Sequence, residues 1–277
     1  MNNYLDPKTI KTVAITIKAN KSSLKYHYLK LKRVFLEYGI RILLESDSAE
    51  MIAKSADYVP SDLEDVQIEK VPTIYQKADA IVCCGGDGTL LKLVRESFTY
   101  EKPIIGIAGG TLSFLLSTRI DDIDKFMVSL FEGKCRIDKH LMFKAMQTDK
   151  HDQEMEIFKI FNDIIVKNKD PRKTVKINVF LNNQLISTFL GDGLIISTPT
   201  GSTAYNLSAK GPIVYPLNEA LILTPINPHG LTLVPLVLPF DFDISVQTPN
   251  GDGIFTCDGM GRSEEHTSEL QSRSDLV

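Results

Sequence analysis

One apolar run stops abruptly on glycines and dominates what this chain can fold into. Residues 78–86 read ADAIVCCGG, and they are followed at once by DGTLLKLVRESF. An unbroken apolar run of this length is a strand buried on both faces, as in a parallel sheet. The stretch TLLKLVRESF is helical, so the glycines form a strand-to-helix turn. In a parallel sheet that turn lies at the carboxyl end of the strands, where ligands bind.

The neighbouring segments repeat the pattern. Residues 12–19, TVAITIKA, form a strand, and residues 23–40, SLKYHYLKLKRVFLEYGI, carry apolar side chains at helical spacing with Gly39 as C-cap. RILLES is a strand, residues 61–76 a polar loop with a short helix, PIIGIA a strand and DIDKFMVSLFEG a helix. Alternating strands and helices predict an α/β domain on a parallel sheet. After about Gly133 the texture changes. LMFKAMQT, MEIFKIFNDIIVKN, TVKINVFLNNQLISTFLGDGLIIST, PLVLPF and FDISVQTP are strand-like, with turn signals between them and one short helix, TAYNLSAKG. This predicts a β-rich, largely antiparallel second domain. The expected domains are residues 1–119 and 120–262. Residues 263–277 are polar, lack periodicity and look foreign, and they are expected to stay disordered outside the fold.

A net charge of −4 offers no basic field for nucleic acid or membrane. Cys83, Cys84, Cys135 and Cys257 have no metal-ligand spacing, and Cys83 and Cys84 read as small buried hydrophobes. No metal-ligand set is expected, and His140 and His229 make no zinc constellation: His140 reads as a polar domain-junction residue and His229 as ordering a turn. No signal peptide or membrane-spanning stretch is read, so a reducing cytoplasm is expected.

Glycine at positions 85, 86 and 88 permits positive φ and lets backbone N–H groups approach a ligand, and the following helix presents its positive end to an anion. Gly85, Gly86, Gly88 and Thr89 therefore suit a phosphate. Asp87 does not, because a carboxylate repels phosphate. It makes sense as a metal ligand or as a base accepting a proton from an attacking hydroxyl; otherwise it only N-caps the helix. A second cluster, GDGLIISTPTGSTAYNLSAKGPIVYP at 191–216, joins Asp192 to a hydroxyl-rich loop and to Thr203, Ala204, Tyr205 and Ser208. The hydroxyls can serve a base and sugar and Tyr205 can stack on a ring, or Ser202 and Thr203 are caps and Tyr205 is core.

GGDGTLL at 85–91 together with the 191–216 stretch resembles the NAD kinase family, in the form of bacterial ATP-NAD kinases. GIAGGTLSFL, FNDIIV, PHGLT, PLVLP and the Asp258–Gly259 pair agree with it, from about residue 12 to 259. The resemblance implies a Rossmann-like parallel sheet and phosphoryl transfer from ATP, or from polyphosphate, with Mg²⁺, to the 2′-hydroxyl of the adenosine ribose of NAD, so supplying NADP. Asp87 would then be the catalytic base, with Gly88 beside the dinucleotide and Phe114 lining the pocket. Asn162 and Asp163 would bind adenosine and ribose, Asp192 a further polar group, and Thr200, Thr203, Ala204, Tyr205 and Ser208 the rings. Lys176 falls near a basic position. The interdomain cleft is the expected place for this chemistry, and a homodimer or homotetramer is implied. Lipid or small-alcohol kinases share the glycine turn and remain an alternative, as does a non-catalytic NAD-binding sensor. The chain departs from the family where Ala108 replaces Asn or His, Ser113 replaces Gly and Asp163 replaces Glu. Family members continue past Asp258–Gly259 with further strands, so reduced stability and impaired assembly or activity are expected of this C-terminus.

Overall fold

The computed structural model describes residues 5–19, 23–110, 113–116, 118–148, 154–230, 233–261 and 269–276, with backbone alone at 148, 154–157, 260–261 and 269–276. Thr111 and Leu112 of the GIAGGTLSFL stretch, and Leu231 and Thr232 of PHGLT, lie outside the described residues. The chain divides after Asp138 into two compact units.

The first unit runs β1 (Thr12–Ile17), α1 (Leu24–Glu37), β2 (Arg41–Glu45), α2 (Ser46–Ala53), β3 (Val66–Glu69), α3 (Thr73–Lys77), β4 (Ala80–Gly85), α4 (Asp87–Ser97), β5 (Ile104–Ala108), β6 (Thr118–Arg119) and α5 (Ile123–Phe131). Its six strands form one sheet in the order β3-β2-β1-β4-β5-β6. Every ladder is parallel. Strand order reverses between β1 and β4, which makes the carboxyl end of β4 the topological switch point.

β1 and β4 are buried along their whole length. They sit at the centre of the sheet, which is why their sequences read as continuous apolar runs. Burial pushes the Cys83 and Cys84 thiols up to about 12, so both stay protonated and act as small apolar groups. Helix α1 buries Leu24, Tyr28, Leu31, Val34 and Phe35, the expected face, and Gly39 ends it with φ of +71°. Tyr38 falls just past the helix and stacks on Phe131, ring centroids 4.5 Å apart.

Three features depart from expectation. The 61–76 segment, expected as a loop with a short helix, contains both α3 and strand β3. β3 is an edge strand whose Gln67 and Ile68 face solvent, so it lacks an apolar signature. Helix α2 follows β2 directly, where no helix was expected. The boundary lies after residue 138 rather than 119, because β6 pairs with β5 and α5 buries Ile123, Met127 and Leu130 in the first unit's core.

The second unit contains β7 (Leu141–Thr148), β8 (Glu154–Ile160), β9 (Asp163–Asn168), β10 (Val175–Leu181), β11 (Gln184–Gly191), β12 (Gly193–Ser197), α6 (Tyr205–Ser208), β13 (Ala220–Ile226), β14 (Leu236–Pro239), β15 (Ile244–Gln247), β16 (Gly253–Cys257), β17 (Met260–Gly261) and β18 (Glu269–Leu276). Two six-stranded sheets form, β11-β10-β15-β18-β7-β8 and β14-β13-β12-β9-β16-β17. Their ladders are antiparallel. One core, including Phe143, Ile177 and Phe189 from the first sheet and Ile164, Ile196 and Leu221 from the second, joins them face to face. Asn182 and Asn183 both take positive φ between β10 and β11, the hairpin geometry that an Asn-Asn pair favours.

Residues 269–276 also depart from the expected disordered tail. They form β18, which pairs with β7 over eight positions and with β15 over three. Backbone groups carry this pairing, so a polar, aperiodic sequence gives little warning of it. Among the described residues, no helix is long and apolar enough to cross a membrane.

Leu31 is fully buried on α1. Leu31→Ala is expected to destabilise the first unit by about 2–5 kcal/mol, the usual cost of a core truncation that leaves a cavity. Urea denaturation followed by circular dichroism measures this, and a loss below about 1 kcal/mol would show that the α1 face does not anchor the sheet.

Candidate functional site

β4 ends at Gly85, Gly86 serves as N-cap, and Asp87 is the first residue of α4. The three glycines here do different jobs. A Cβ on Gly85 would lie 2.6 Å from Thr89 Oγ1 and 2.9 Å from the Lys18 carbonyl oxygen, so only glycine fits between β1 and the first turn of α4. Its carbonyl accepts the Gly109 N–H at 2.9 Å, tying the end of β4 to the end of β5. A Cβ on Gly86 or Gly88 would meet nothing within 4 Å. None of the three has positive φ: Gly86 is extended, and the left-handed glycines are Gly39, Gly133, Gly251 and Gly259. The turn thus needs glycine for close approach at 85 and for open backbone at 86 and 88, not for the left-handed conformation expected from sequence.

The Asp87 side chain does not cap its own helix. It reaches the turn after β5, where Oδ1 accepts the Ser113 Oγ–H at 2.5 Å and the Leu115 N–H at 3.2 Å, and Oδ2 accepts the Phe114 N–H at 3.1 Å. Ser113 Oγ in turn accepts the Leu116 N–H at 2.9 Å. Phe114 itself is 72% exposed. The sequence reading weighed the base against a local cap, and the geometry removes the cap. Thr89 packs its hydroxyl under Gly85, and its N–H donates to the Gly86 carbonyl at 2.9 Å. Free backbone at Gly86 and Gly88, at the start of an 11-residue helix, can receive an anion.

The second unit gathers most of the remaining predicted residues around the crossing from β8 to β9. This crossing is organised by Asp258, whose importance sequence reasoning missed. Its carboxylate accepts the backbone N–H groups of Phe161, Asn162 and Asp163 at 3.1, 2.7 and 3.2 Å, and its own N–H donates to the Asp163 carbonyl at 2.8 Å. Asp258 has φ of +46°, and Gly259 follows in the same region. An Asp-Gly pair is the sequence signal for that turn, although it does not name the partners.

Asn162 sits at the centre. Its carbonyl accepts the Thr198 N–H at 2.9 Å and the Ser197 hydroxyl at 3.2 Å. A Cβ on Gly201 would lie 2.1 Å from that carbonyl oxygen, so the hydroxyl-rich loop closes directly over it. Asn162 Oδ1 is buried without a hydrogen-bond partner. Asp163 is 4% exposed, and burial together with the Asp258 charge pushes its carboxyl up to about 7.

The hydroxyls of the loop are mostly spent on the loop itself. Thr198 Oγ donates to the Phe161 carbonyl at 2.6 Å and accepts the Gly201 N–H at 3.0 Å. Ser202 Oγ donates to the Pro199 carbonyl at 2.6 Å and accepts the Val214 N–H at 3.1 Å. Thr200 is buried, its hydroxyl 2.9 Å from His140 Nδ1, with the His140 ring against Phe161. His140, at the start of the second unit as a domain-junction residue would be, also supports this loop. Asn206, another residue the sequence did not single out, is fully buried and bonds the Ser202 and Pro212 carbonyls and the Thr224 hydroxyl. What remains accessible is Thr203, Ala204, the half-exposed ring of Tyr205, and Ser208.

Two predicted residues lie apart from this loop. Asp192 is exposed between β11 and β12, with Oδ2 accepting Asn227 Nδ2–H at 2.8 Å. Its flanking glycines are demanded by crowding: a Cβ on Gly193 would lie 2.3 Å from the Val166 carbonyl oxygen. Lys176 is exposed on β10, in the other sheet from β9 and β12. Among the described residues, no group of three or more His, Cys, Asp or Glu side chains forms a metal cage.

Comparison with known proteins bears on both clusters. Residues 13–135 match the family model described as ATP-NAD kinase N-terminal domain, and residues 161–272 match ATP-NAD kinase C-terminal domain. An NAD kinase of Sulfurimonas denitrificans is 36% identical over 266 residues, which cover 96% of this chain and 88% of that protein. An NAD kinase of Campylobacter jejuni subsp. jejuni serotype O:23/36 is 36% identical over 260 residues, 94% of this chain and 85% of that protein. The crystal structure of yeast NADH kinase complexed with NADH shares the fold, with TM-score 0.83 at 23% identity, over 96% of this chain and 80% of that one. An NAD kinase from Archaeoglobus fulgidus in complex with ATP gives TM-score 0.65 at 22% identity, over 95% of this chain and 89% of that one.

Two measurements check this geometry. The Asp163 carboxyl ionises near 3.8 when free and at about 7 in the fold, so the folded state holds an extra proton between those values. Stability is expected to fall as pH rises from about 4 to about 7 and to level off above that. Melting temperatures of Asp163→Asn across this window should lose that descending limb, whereas an unchanged limb would assign it elsewhere. The glycines divide by substitution: Gly85→Ala is expected to lower the melting temperature by several degrees, since a Cβ there collides with backbone. Gly86→Ala should leave it unchanged and weaken nucleotide binding alone.

Proposed function

The chain belongs to the NAD kinase family, and from that premise we propose that it transfers the γ-phosphoryl group of ATP to the 2′-hydroxyl of the adenosine ribose of NAD, yielding NADP and ADP. Family membership favours this reading over a lipid kinase or a non-catalytic sensor. The observation that carries the chemistry is the Asp87 carboxylate, held at the switch point of a parallel sheet between two glycines with open space above them.

A ribose hydroxyl is a weak nucleophile near neutral pH. In the proposed step Asp87 accepts its proton while the ribose oxygen forms a bond to the γ-phosphorus. The bond from that phosphorus to the bridging oxygen breaks, and ADP leaves with the electron pair. The free N–H groups at Gly86 and Gly88 and the positive end of α4 offset charge on the phosphates, and Thr89 keeps that first turn closed on Gly85. Holding both reactants in line supplies much of the remaining acceleration.

On the second unit, Asn162 and Asp163 are proposed to bind the adenosine portion. The orphaned Oδ1 of Asn162 is an acceptor in need of a donor, such as an exocyclic amine or a ribose hydroxyl. Below about pH 7 the Asp163 carboxyl keeps its proton and can donate a hydrogen bond. Thr203, Ala204, Tyr205 and Ser208 enclose the rings, with Thr200 supporting them through His140. Phe114 offers an exposed aromatic face for stacking. Asp192 and Lys176 are proposed as outlying polar contacts.

Mg²⁺ fits this donor set only as a companion of ATP. Such ions are held by one or two carboxylates plus substrate phosphates, and the described residues offer no cage of their own. When bound it would neutralise phosphate charge, with Asp87 the carboxylate at hand. Polyphosphate is a further proposed donor, and a cytoplasmic homodimer or homotetramer completes the reading.

Asp87→Asn keeps the size of the side chain and removes the proton acceptor. It is expected to cut NADP formation by about 10²–10⁴-fold while NAD affinity stays within about twofold. Near-full turnover in that variant would sink the assignment of the base.

A further inference from the structure

The hydrogen bonds around Asp87 do not all serve the same purpose. A carboxylate has about four lone-pair sites. Leu115 N–H and the Ser113 hydroxyl fill both sites on Oδ1, while Phe114 N–H takes one of the two on Oδ2. The backbone donors at 114 and 115 already grip one oxygen each, so the carboxylate stays anchored without Ser113. The hydroxyl is also aimed: Ser113 Oγ accepts the Leu116 N–H at 2.9 Å, which directs its proton toward Asp87. At 2.5 Å it makes the shortest contact the carboxylate has in this set, and hydrogen bonds to a charged acceptor are the strong ones.

Resting on the proposed role of Asp87, we propose that the Ser113 hydroxyl is a brake on the base: a positioning residue that fills the second site on Oδ1 and so leaves the substrate hydroxyl a single open lone pair, on Oδ2, to receive its proton. Ser113 exchanges no atoms in the transfer. The ribose proton ends on Asp87, the new oxygen–phosphorus bond forms, and ADP departs as described above. The Ser113 hydroxyl only sets how many lone pairs the substrate finds open. Substrate binding and the grip of the backbone on Asp87 do not depend on it.

Steady-state kinetics of full-length Ser113→Ala and Ser113→Thr, with NAD and Mg-ATP, test this. Ser113→Ala is expected to raise kcat by about 3–10-fold, the effect of losing part of one charge-assisted hydrogen bond. KM for both substrates should stay within about twofold and the melting temperature within about 2 °C. Ser113→Thr restores a hydroxyl and should return kcat toward the wild-type value. If Ala proves destabilising, Ser113→Gly removes the same hydroxyl. An unchanged or lower kcat in the variants lacking the hydroxyl, or a rise confined to KM, overturns the brake. The Asp87→Asn variant, run alongside, separates the two ideas. If it is inactive while Ser113→Ala shows no gain, only the brake fails; if it is active, the base assignment fails and takes the brake with it.

Discussion

Everything at the first cluster depends on one close approach: the backbone of Gly85 wedged between the Lys18 carbonyl of the β1 end and Thr89 of α4, with its own carbonyl tied to Gly109. This contact joins the carboxyl ends of three adjacent strands, β1, β4 and β5, at the place where their order reverses. It starts α4 one residue after the strand, so Asp87 enters the first turn of the helix between the open N–H groups of Gly86 and Gly88. A side chain at 85 would force the turn apart, and the carboxylate would no longer meet the 113–116 segment. The chemistry proposed for Asp87 is therefore a consequence of a steric fact about its neighbour.

Both units use an aspartate to fix a turn, and the comparison separates a scaffold from the group proposed to react. Asp258 accepts three backbone N–H groups and is buried. Removing it would leave three inward-facing donors without an acceptor, at a cost of about 1–3 kcal/mol each where they stay buried. Asp87 also has three donors, but one is a hydroxyl that can rotate, and it sits beside glycines facing open space. Three hydrogen bonds make a scaffold in one case and a poised group in the other; what differs is solvent access and the freedom of one donor.

The central strands β1 and β4 and helix α1 were legible because burial on both faces, or on one helical face, writes a periodic apolar signature. Strand β3 was not, because an edge strand is held by backbone pairing while Gln67 and Ile68 point to water. The change of texture near Gly133 lies close to the division after residue 138, whereas a boundary at 119 was expected because the role of β6, two residues long, is visible only through its pairing with β5 and α5 follows it. At the site, the Gly-Asp-Gly-Thr turn announced itself at the end of β4, whereas the reach of Asp87 to Ser113, Phe114 and Leu115 did not. Asp258 was noticed as part of an Asp-Gly pair, yet its partners lie more than ninety positions away, a distance across which spacing carries no information.

The hydroxyl-rich loop teaches a related lesson about composition. A run of Ser and Thr suggested many groups facing a ligand, but Thr198, Thr200 and Ser202 turn inward and satisfy carbonyls, N–H groups and His140. The reason is the tight packing of Gly201 on the Asn162 carbonyl, which leaves short polar side chains as the ones that fit beneath a closed turn while meeting its buried backbone groups. Internal satisfaction of this kind makes the loop rigid, and rigidity is what lets Asn162 hold an unpaired Oδ1. A flexible loop would relax and pair that oxygen with the nearest N–H. In the proposed site the loop would thus contribute to recognition chiefly by holding a neighbour's acceptor unsatisfied, at a cost offset when a ligand supplies the missing donor.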